Sequence, residues 1–471
     1  MSLEELQSSA ILSEIPIDPD CELENDTCYD LDFNPYLKKY KILLPQDAVA
    51  NFNNLYGGSA QEDQGGVIGT YDDNILLSGS TLSSASGDVS GTNNGQTDAW
   101  FVKTDNLGNM VWEKNIGGQS NDYVSRAIEL TDGNYFFAGT SQSSVYGDIT
   151  ETTNGSQDYW IGAIDTNGNL LWNKLYGGSS FDSVFDAILT NDGNILVVGQ
   201  ANSSATGDIV DTSAGGTDAW IVKFDISGNI LWQKLYGGNL ADAGIKILAL
   251  SDGGYFVLGK SMSTTGGEIT ESTHGDYDYW LLKLDGDGNI EWQQMYGGTG
   301  VDNPYNLIKD RNRNEYLLVG TSTSSANGDV ADTTNGSYDC WIVKINGTGN
   351  ILWQNLLGGS AIDVCTDVKQ KEGDGYIFFG ESTSSQTGDV SDTNNGGRDF
   401  WVFTSNTSGV VQSSMLYGGS FDDLASNMIN RRGDGYYLFG GSYSSGTGDV
   451  TDTGMAGKNY WVLKVDAEGN I

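Results

Sequence analysis

The sequence predicts an all-β ring built from one repeated unit, and three observations support this prediction. Seven tryptophans recur along the 471 residues at intervals of 60 residues, with one interval of 61, at Trp100, Trp160, Trp220, Trp280, Trp341, Trp401 and Trp461. Each repeat contains four strand-like runs separated by turn residues. The last repeat lacks its final strand, and a matching segment stands near the N-terminus. A four-stranded unit repeated seven times is typical of a seven-bladed β-propeller.

The strands are clearest in the third repeat, where we predict them at residues 184–190, 194–201, 218–225 and 230–236. Tight turns join the first two and the last two strands, because the segments 191–194 and 225–229 carry the Asn and Gly residues that such hairpins need. The other two connections, residues 177–182 and 203–217, are longer. Since antiparallel strands alternate in direction, both long connections are expected on one face of the ring and both tight turns on the other.

The two ends of the chain predict how the ring closes. The chain ends at Gly469-Asn470-Ile471, where every earlier repeat continues into a strand. Residues 50–56 match the missing strand, so we predict that they pair beside Trp461 and complete the last blade. A linear solenoid would instead need capping repeats. Residues 1–46 do not match the repeat and are assigned to an N-terminal arm, and residues 47–471 are assigned to the propeller.

Composition argues against several function classes. The chain has 23 Lys and Arg against 63 Asp and Glu, a formal net charge of −40, which repels nucleic-acid phosphates and anionic lipid. No apolar run reaches transmembrane length, so membrane insertion is not expected. The first residues lack the basic and apolar segments of a secretory signal peptide.

The four cysteines do not form a repeated framework. Cys340 stands before Trp341, where other repeats carry a small or aromatic residue, so we predict a buried apolar side chain there. Cys21 and Cys28 could form a local disulfide or remain free. No pair of C-x-x-C motifs indicates zinc.

A short segment of each repeat resembles a known family. In the third repeat, residues 223–232 carry an Asp, then a Gly, then a Trp, and the same order stands at Asp105–Trp112, Asp165–Trp172, Asp285–Trp292 and Asn346–Trp353. This pattern resembles the tryptophan-docking motif of PQQ-like, quinoprotein-type propeller repeats. The resemblance implies that tryptophans fix each blade to its neighbour, namely Trp112, Trp172, Trp232, Trp292 and Trp353 together with the seven of the main period. In the sixth repeat we assign Ser405, Val410 and Ser413 to the motif's Asp, Asn and Trp positions and expect weaker docking there.

The longest loop of each repeat carries the acids Asp208, Asp211 and Asp218 in its third copy. Two hypotheses are open for these residues and their equivalents. The sequence favours carboxylates that accept backbone N–H bonds and fix the shape of the loop, because the D-x-D-x-D-G order of an established calcium loop is lacking. The other hypothesis is a calcium site, since a Gly-hinged, Asp-rich loop can bind Ca²⁺. As a binding surface, the loop face offers the candidate residues Asp148, Asp208, Asp211, Glu268, Asp329, Asp332, Asp389, Asp392, Asp449 and Asp452. A further acid follows the Gly-Gly pair at Asp122, Asp182, Asp242, Asp302, Asp363 and Asp423.

These features favour binding over catalysis. His274 is the only histidine, so a histidine-dependent triad repeated around the ring is excluded. The leading hypothesis is a non-enzymatic interaction and adhesion module, a surface component of a virion that recognises surface glycans or proteins through its loop face. Residues 1–46 would then bind other structural proteins. The alternatives are a secreted or cell-surface propeller that acts as an adhesin or scaffold, and a carboxylate-dependent enzyme that acts on glycans.

Overall fold

The computed structural model describes residues 31–34, 39–42, 52–311, 313–373, 375–431, 435–454 and 456–471. The chain divides into two units, Met1–Val49 and Ala50–Ile471. In the first unit, β1 (Leu31–Asn34) pairs antiparallel with β2 (Lys39–Ile42). The rest of the predicted N-terminal arm, including Cys21 and Cys28, lies outside the described residues.

The second unit is a ring of seven four-stranded antiparallel sheets, which confirms the predicted β-propeller. In blades 1 to 6 the strands run from the innermost to the outermost in chain order, whereas the outermost strand of blade 7 comes from the N-terminal segment. The innermost strands of successive blades contact one another. Among the described residues, no helix is long and apolar enough to cross a membrane. The strands are β3 (Asn53–Tyr56); β4 (Glu62–Gly69), β5 (Ile75–Thr81), β6 (Asp98–Thr104) and β7 (Met110–Ile116) in blade 1; β8 (Asp122–Glu129), β9 (Tyr135–Ser141), β10 (Asp158–Ile164) and β11 (Leu170–Tyr176) in blade 2; β12 (Asp182–Leu189), β13 (Ile195–Ala201), β14 (Asp218–Phe224) and β15 (Ile230–Tyr236) in blade 3; β16 (Asp242–Ala249), β17 (Tyr255–Ser261), β18 (Asp278–Leu284) and β19 (Ile290–Tyr296) in blade 4; β20 (Asp302–Lys309), β21 (Glu315–Ser322), β22 (Asp339–Asn346) and β23 (Ile351–Leu357) in blade 5; β24 (Asp363–Gln370), β25 (Tyr376–Ser382), β26 (Asp399–Ser405) and β27 (Val411–Tyr417) in blade 6; and β28 (Asp423–Asn430), β29 (Tyr436–Ser442) and β30 (Asn459–Val465) in blade 7.

The apolar core lies between blades. All seven residues of β14 are buried, because neighbouring sheets cover both of its faces, whereas the outer strand β15 is partly exposed along its length. The described core divides into seven clusters that each join two adjacent blades; one of them packs Phe136 of blade 2 with Trp220 and Val222 of blade 3. A blade therefore buries its apolar side chains only against its neighbours.

The ring closes as the sequence predicts. Strand β3 pairs with β30 and places Leu55 opposite Trp461, so the N-terminal segment completes blade 7. Phe52, just before β3, is buried against Gly108 in a hairpin of blade 1. The closing strand thus contacts the first blade as well as the last.

Tryptophans on the outer strands contact the hairpin of the next blade. A Cβ at Gly288 would lie 2.9 Å from the ring of Trp232, and the backbone of Gly288 has a φ of +77°, so glycine is required on both counts. The hydroxyl of Tyr236 donates a hydrogen bond to the carbonyl of the same glycine. The equivalent tryptophan and glycine pairs are Trp112 with Gly168, Trp172 with Gly228, Trp292 with Gly349 and Trp353 with Gly409.

The seven tryptophans of the main period lie on the third strands and are fully buried. The indole nitrogen of each donates to a polar side chain on the outer strand of its own blade, as Trp220 does to Gln233 at 3.1 Å. Burial of the indole is therefore compatible with its polar N–H.

The sixth repeat keeps its hairpin through different residues from those assigned above. Asn406, and not Ser405, stands at the Asp position of the motif, since its Oδ1 accepts the backbone N–H of Ser408 and of Val410 at 3.0 Å each. Ser413 does replace the tryptophan, but Met415 of the same strand reaches the next hairpin, with its Cε 2.9 Å from the Cβ position of Gly469. Docking at this junction uses a flexible thioether in place of an indole.

The prediction for Cys340 was incomplete. Cys340 is buried, but it forms a disulfide with Cys365 and is not a free apolar side chain. The bond links β22 of blade 5 to β24 of blade 6, with the two Cα atoms 5.1 Å apart. No sequence pattern indicates this pairing, because only the packing of the two blades brings these positions together.

We expect removal of the closing strand to destabilise the ring, whereas removal of the arm should not. Truncation before residue 47 retains β3; truncation before residue 59 removes Phe52, Leu55 and Tyr56, which are buried. Each buried side chain contributes about 2 kcal/mol, so the longer truncation should lower the free energy of unfolding by about 5 kcal/mol or more. Chemical denaturation of both truncated chains measures this difference, and equal losses would contradict it.

The disulfide should stabilise the ring measurably. It closes a loop with a sequence separation of 25 residues, for which loss of the cross-link costs about 3 kcal/mol. Reduction of the wild-type chain should lower the denaturation midpoint, and the double variant Cys340→Ala/Cys365→Ala should not respond to the same reductant. A response of the double variant would assign the effect to Cys21 and Cys28.

Candidate functional site

The candidate site is the loop face, which we define by the two long connections of every blade. In blade 3 these are residues 177–181, which lead into β12, and residues 202–217, which join β13 to β14. The tight hairpins, such as residues 190–194, lie on the opposite face, called here the turn face. The predicted difference between the two faces is confirmed.

The first acid of each loop joins two blades. The carboxylate of Asp208 accepts the backbone N–H of Gly177 at 3.2 Å and the side-chain amide of Asn154 at 2.9 Å, and both donors belong to the chain before blade 3. The N–H of Asp208 donates back to the carbonyl of Gly177 at 2.8 Å. The equivalent acids bind the equivalent glycine N–H, namely Asp88, Asp148, Glu268, Asp329, Asp389 and Asp449.

The middle acid binds a different group. The carboxylate of Asp211 accepts the N–H of Leu235 on the outer strand of its own blade at 3.0 Å. The equivalents that do the same are Glu151, Glu271, Asp332, Asp392 and Asp452. These contacts are those expected from the hypothesis in which the acids accept backbone N–H bonds and fix the shape of the loop.

The final acid lies at the next junction along the ring. Asp218 accepts the N–H of Ala214 through Oδ2 at 2.9 Å, and its Oδ1 lies beside Gly237, which leads into blade 4. Since Asp208 binds Gly177 on the other side of blade 3, the structure does not bring Asp208, Asp211 and Asp218 of one repeat to one point. The three carboxylates of the candidate calcium set thus contact three different segments.

What the structure does bring together are acids of adjacent blades. Around Gly237 lie Asp218 of blade 3 with Asp242 and Glu268 of blade 4. Asp242 Oδ2 is 2.9 Å from the Cβ position of this glycine, and Asp218 Oδ1 is nearer still, so any side chain there would collide with both. The pairs of final acid and following acid are Asp98 with Asp122, Asp158 with Asp182, Asp218 with Asp242, Asp278 with Asp302, Asp339 with Asp363 and Asp399 with Asp423; Asn459 and Glu62 take these places at the seventh junction.

Burial changes the acidity of these carboxyl groups. Desolvation, with smaller contributions from the charges of Asp242 and Glu268, raises the pKa of Asp218 to about 6. The pKa of Asp98 and that of Asp399 are each raised to about 7, again mainly by burial. Burial also raises the pKa of Asp242, although hydrogen bonds from Ser261 and Ser263 oppose the shift.

His274 has a structural role in this arrangement. Its backbone N–H donates to Asp278 Oδ2 at 2.7 Å, as Asn154 does to Asp158 in blade 2, and its Nδ1 lies 3.3 Å from the same oxygen. The imidazole thus occupies a position that the sequence fills with asparagine, alanine or methionine in the other repeats. In the part of the chain that the structure describes, no three His, Cys, Asp or Glu side chains are gathered as a metal centre.

A second group of charges lies on the innermost strands. Asp186 accepts the N–H of Ile247 at 3.1 Å, and its other oxygen lies 3.1 Å from Lys246 Nζ and 3.6 Å from Arg126 Nε. Three successive blades thus contribute one charge each, and Asp186 is almost fully buried between the two cations. This group has its own counter-charges and its own backbone partner, which is the arrangement of a structural ion pair.

Sequence reasoning missed two residues of the loop face, Val145 and Tyr146 in blade 2. Their side chains are 62% and 52% exposed. The signal was available, because the other repeats carry small or polar residues at the position of Tyr146: Ser86, Thr206, Gly266, Asn327, Thr387 and Thr447. Tyr146 therefore departs from the repeat at a position where the acidic residues beside it are regular.

Comparison with known proteins identifies no family. No protein-family model matches the chain. The regulatory protein FlaEY of Caulobacter vibrioides is 24% identical over 226 residues, which is 45% of this chain. The match spans only 23% of that protein, so most of FlaEY has no counterpart here.

Solved structures with a similar chain path include proteins of unrelated activity. The WD40 domain of Neurospora crassa Pan2 has a TM-score of 0.44 at 10% identity, with 87% of this chain and 92% of that chain covered. Hydrazine synthase of Kuenenia stuttgartiensis has a TM-score of 0.47 at 8% identity, with 91% and 99% covered. The polysaccharide lyase Uly1 has a TM-score of 0.45 at 11% identity, with 99% and 96% covered. At these values none of the three supports an inference about activity.

The raised pKa values predict that the ring loses stability as pH rises. A carboxyl group with a folded-state pKa of about 6 to 7, against about 3.9 when unfolded, favours folding fully below pH 4 and loses this contribution up to about pH 7. The thermal midpoint in EDTA should therefore be lower at pH 8 than at pH 4, because these two pH values bracket that window.

A single substitution separates this effect from the general acidic charge. Asp399→Asn cannot ionise and should exceed the wild type in free energy of unfolding by about 1–2 kcal/mol at pH 8. Asp276→Asn removes the same charge from an exposed position of the loop face and should leave the pH dependence unchanged. Equal effects of the two substitutions would assign the pH dependence to net charge.

Proposed function

We propose that this chain is a non-enzymatic interaction module that recognises a surface glycan or protein through its loop face. The proposal rests on one observation, the backbone conformation of Val145. This residue has a φ of +22° and a side chain that is 62% exposed. A positive φ is unfavourable for a β-branched residue, and an exposed side chain gains little from packing.

Other repeats show what the loop needs at this position. Ala85, Ala205, Ala326 and Gln386 have φ values of 44° to 50°, and Gly446 has a φ of 59°. Five other repeats thus place a left-handed residue here, whereas in the fourth repeat the positive φ falls on Gly266 and Gly267. Valine is a poor choice for this conformation because its side chain adds strain that alanine or glycine would reduce, and strained backbone positions cluster at binding sites.

Tyr146 extends the same exposed surface. Its ring and hydroxyl together suit either a sugar ring or a protein side chain, because the residue offers an apolar face and a polar end. The acids around it are already bound to backbone N–H groups, so they hold the loop and leave its tip for recognition. The partial match to a regulatory protein agrees with a binding role.

The proposal includes a location outside the reducing cytosol. The disulfide between Cys340 and Cys365 supports this, since such bonds persist in secreted proteins and on virion surfaces. The specific form that we propose is a virion appendage in which residues 1–46 bind other structural proteins.

A chain that begins at residue 47 should then keep the folded ring and fail to enter particles.

The binding prediction uses a substitution that should improve folding. Val145→Gly relieves the positive φ and should raise the free energy of unfolding by about 1 kcal/mol, yet it should reduce binding at least tenfold, as should Tyr146→Ser. Binding is measured with labelled protein on printed arrays of surface glycans and of extracellular proteins.

Two control substitutions test the assignment. Gln386→Gly makes the same backbone change in blade 6, and Leu107→Ser removes an exposed apolar side chain from the turn face. Both should bind as the wild type does. Retention of binding by Val145→Gly and Tyr146→Ser would contradict the assignment to blade 2.

A further inference from the structure

Each of six junctions between blades contains a buried carboxylate oxygen that has no hydrogen-bond partner. Asp218 is only 1% exposed. Its Oδ1 accepts no hydrogen bond, whereas its Oδ2 accepts the N–H of Ala214. The equivalent unpartnered atoms are Oδ1 of Asp98, Asp158, Asp278, Asp339 and Asp399. Buried polar atoms are nearly always hydrogen-bonded, so a sixfold exception indicates a ligand.

The unpartnered oxygen lies near a second carboxylate. Asp218 Oδ1 and Asp242 Oδ2 both lie within 3 Å of the position that a Cβ of Gly237 would occupy, and glycine has no side chain to separate them. Asp242 is itself fixed, because its Oδ2 accepts the N–H of Gly238 at 2.7 Å and the hydroxyl of Ser263 at 2.7 Å. Two such carboxylates repel each other unless a positive charge lies between them.

At Asp218 the lysine of the same strand does not fill this role, because Lys223 pairs with Asp192 on the turn face. The charges that act most strongly on the Asp218 carboxyl group are those of Asp242 and Glu268, both negative. At the Asp278 junction, His274 Nδ1 lies 3.3 Å from Oδ2, and Oδ1 is still without a partner. We therefore infer that the positive charge near these Oδ1 atoms comes from outside the chain.

The donor atoms determine which cation fits. The groups around Gly237 are carboxylates and serine hydroxyls, all of them oxygen donors. Oxygen donors of this kind select a hard divalent cation, and Ca²⁺ accepts irregular sets of ligands that include carbonyl groups and water. With two carboxylates as the charged ligands, an affinity on the order of 10⁻⁴ to 10⁻³ M is expected, as in extracellular modules.

We propose that each of these six junctions binds one Ca²⁺ ion between the final acid of one blade and the following acid of the next blade. The ion links the third strand of one blade to the innermost strand of its neighbour, as at Asp218 on β14 and Asp242 on β16. These sites differ from the set Asp208, Asp211 and Asp218 that the loop pattern predicts, because they join acids of two repeats. They do not depend on the function proposed above.

The seventh junction provides an internal comparison. Asn459 stands there in place of the final acid and Glu62 in place of the following acid. An amide in place of one carboxylate removes the repulsion between the two side chains, so no ion is expected. Asparagine is thus already tolerated at this position of the ring.

The test is a count of bound ions on the full chain. The protein is freed of metal with EDTA and dialysed without chelator against Ca²⁺ at about 10 mM, roughly ten times the weakest affinity expected above, so that the sites are close to full. Bound calcium is the calcium that atomic emission measures in excess over the dialysate. The wild type should retain six ions per chain, Asp218→Asn one fewer, and Asn459→Asp one more. Ca²⁺ should also raise the thermal midpoint of the wild type above that in NaCl of equal ionic strength.

Asp276→Asn is the matched control, since it removes one exposed carboxylate from the same face. It should retain six ions. Loss of the same amount of calcium from Asp276→Asn and Asp218→Asn would show diffuse binding to the acidic surface and overturn the proposal. If the wild type binds no calcium, the proposal is overturned as well. The repulsion in each acid pair would then be relieved by a proton shared between the two carboxylates.

Discussion

The structure depends on the hydrogen bonds that join one blade to the next at the Gly-Gly segments. A blade has no apolar core of its own, so its strands are stable only when two neighbours cover them. The segment that crosses between blades exposes backbone N–H groups, and carboxylates from both sides accept them. At Gly177 and Gly178, for example, the acceptors are Asp208 and Asp182. The acidic residues thus define the spacing of the blades.

This arrangement explains why the chain tolerates so many acids. A carboxylate that accepts two or three N–H bonds is stabilised where it is, and the same bonds order the loop. Many of the 63 acidic residues are therefore part of the framework, including most of the candidate binding residues of the loop face. In the function that we propose, recognition would fall to side chains that break the repeat, of which Val145 and Tyr146 carry the clearest departure in backbone and exposure.

Some buried carboxylate oxygens in this framework have no hydrogen-bond donor. Oδ1 of the final acid is not bonded at six junctions, and Oδ1 of the following acid is not bonded at two of them, Asp182 and Asp302. Binding of a cation there would convert a repulsive pair into a link between blades. The ring would then be stabilised by apolar packing near its middle and by ions near its loop face, with the disulfide as a covalent link at one junction only.

The sequence by itself determined the number of blades, the strands within each blade, the difference between the two faces and the closure of the ring. These follow from local patterns, because strand periodicity, turn residues and a fixed repeat are all encoded over short segments. It also supplied both hypotheses for the acids, and the described hydrogen bonds are those of the capping alternative. Only the tertiary structure decided which acids meet. Asp218 is closer in sequence to Asp211 than to Asp242, yet it lies beside Asp242, because adjacent repeats and not adjacent residues face each other across a junction. The same reason hid the bond between Cys340 and Cys365, and the strain at Val145 could be recognised only from its backbone angle.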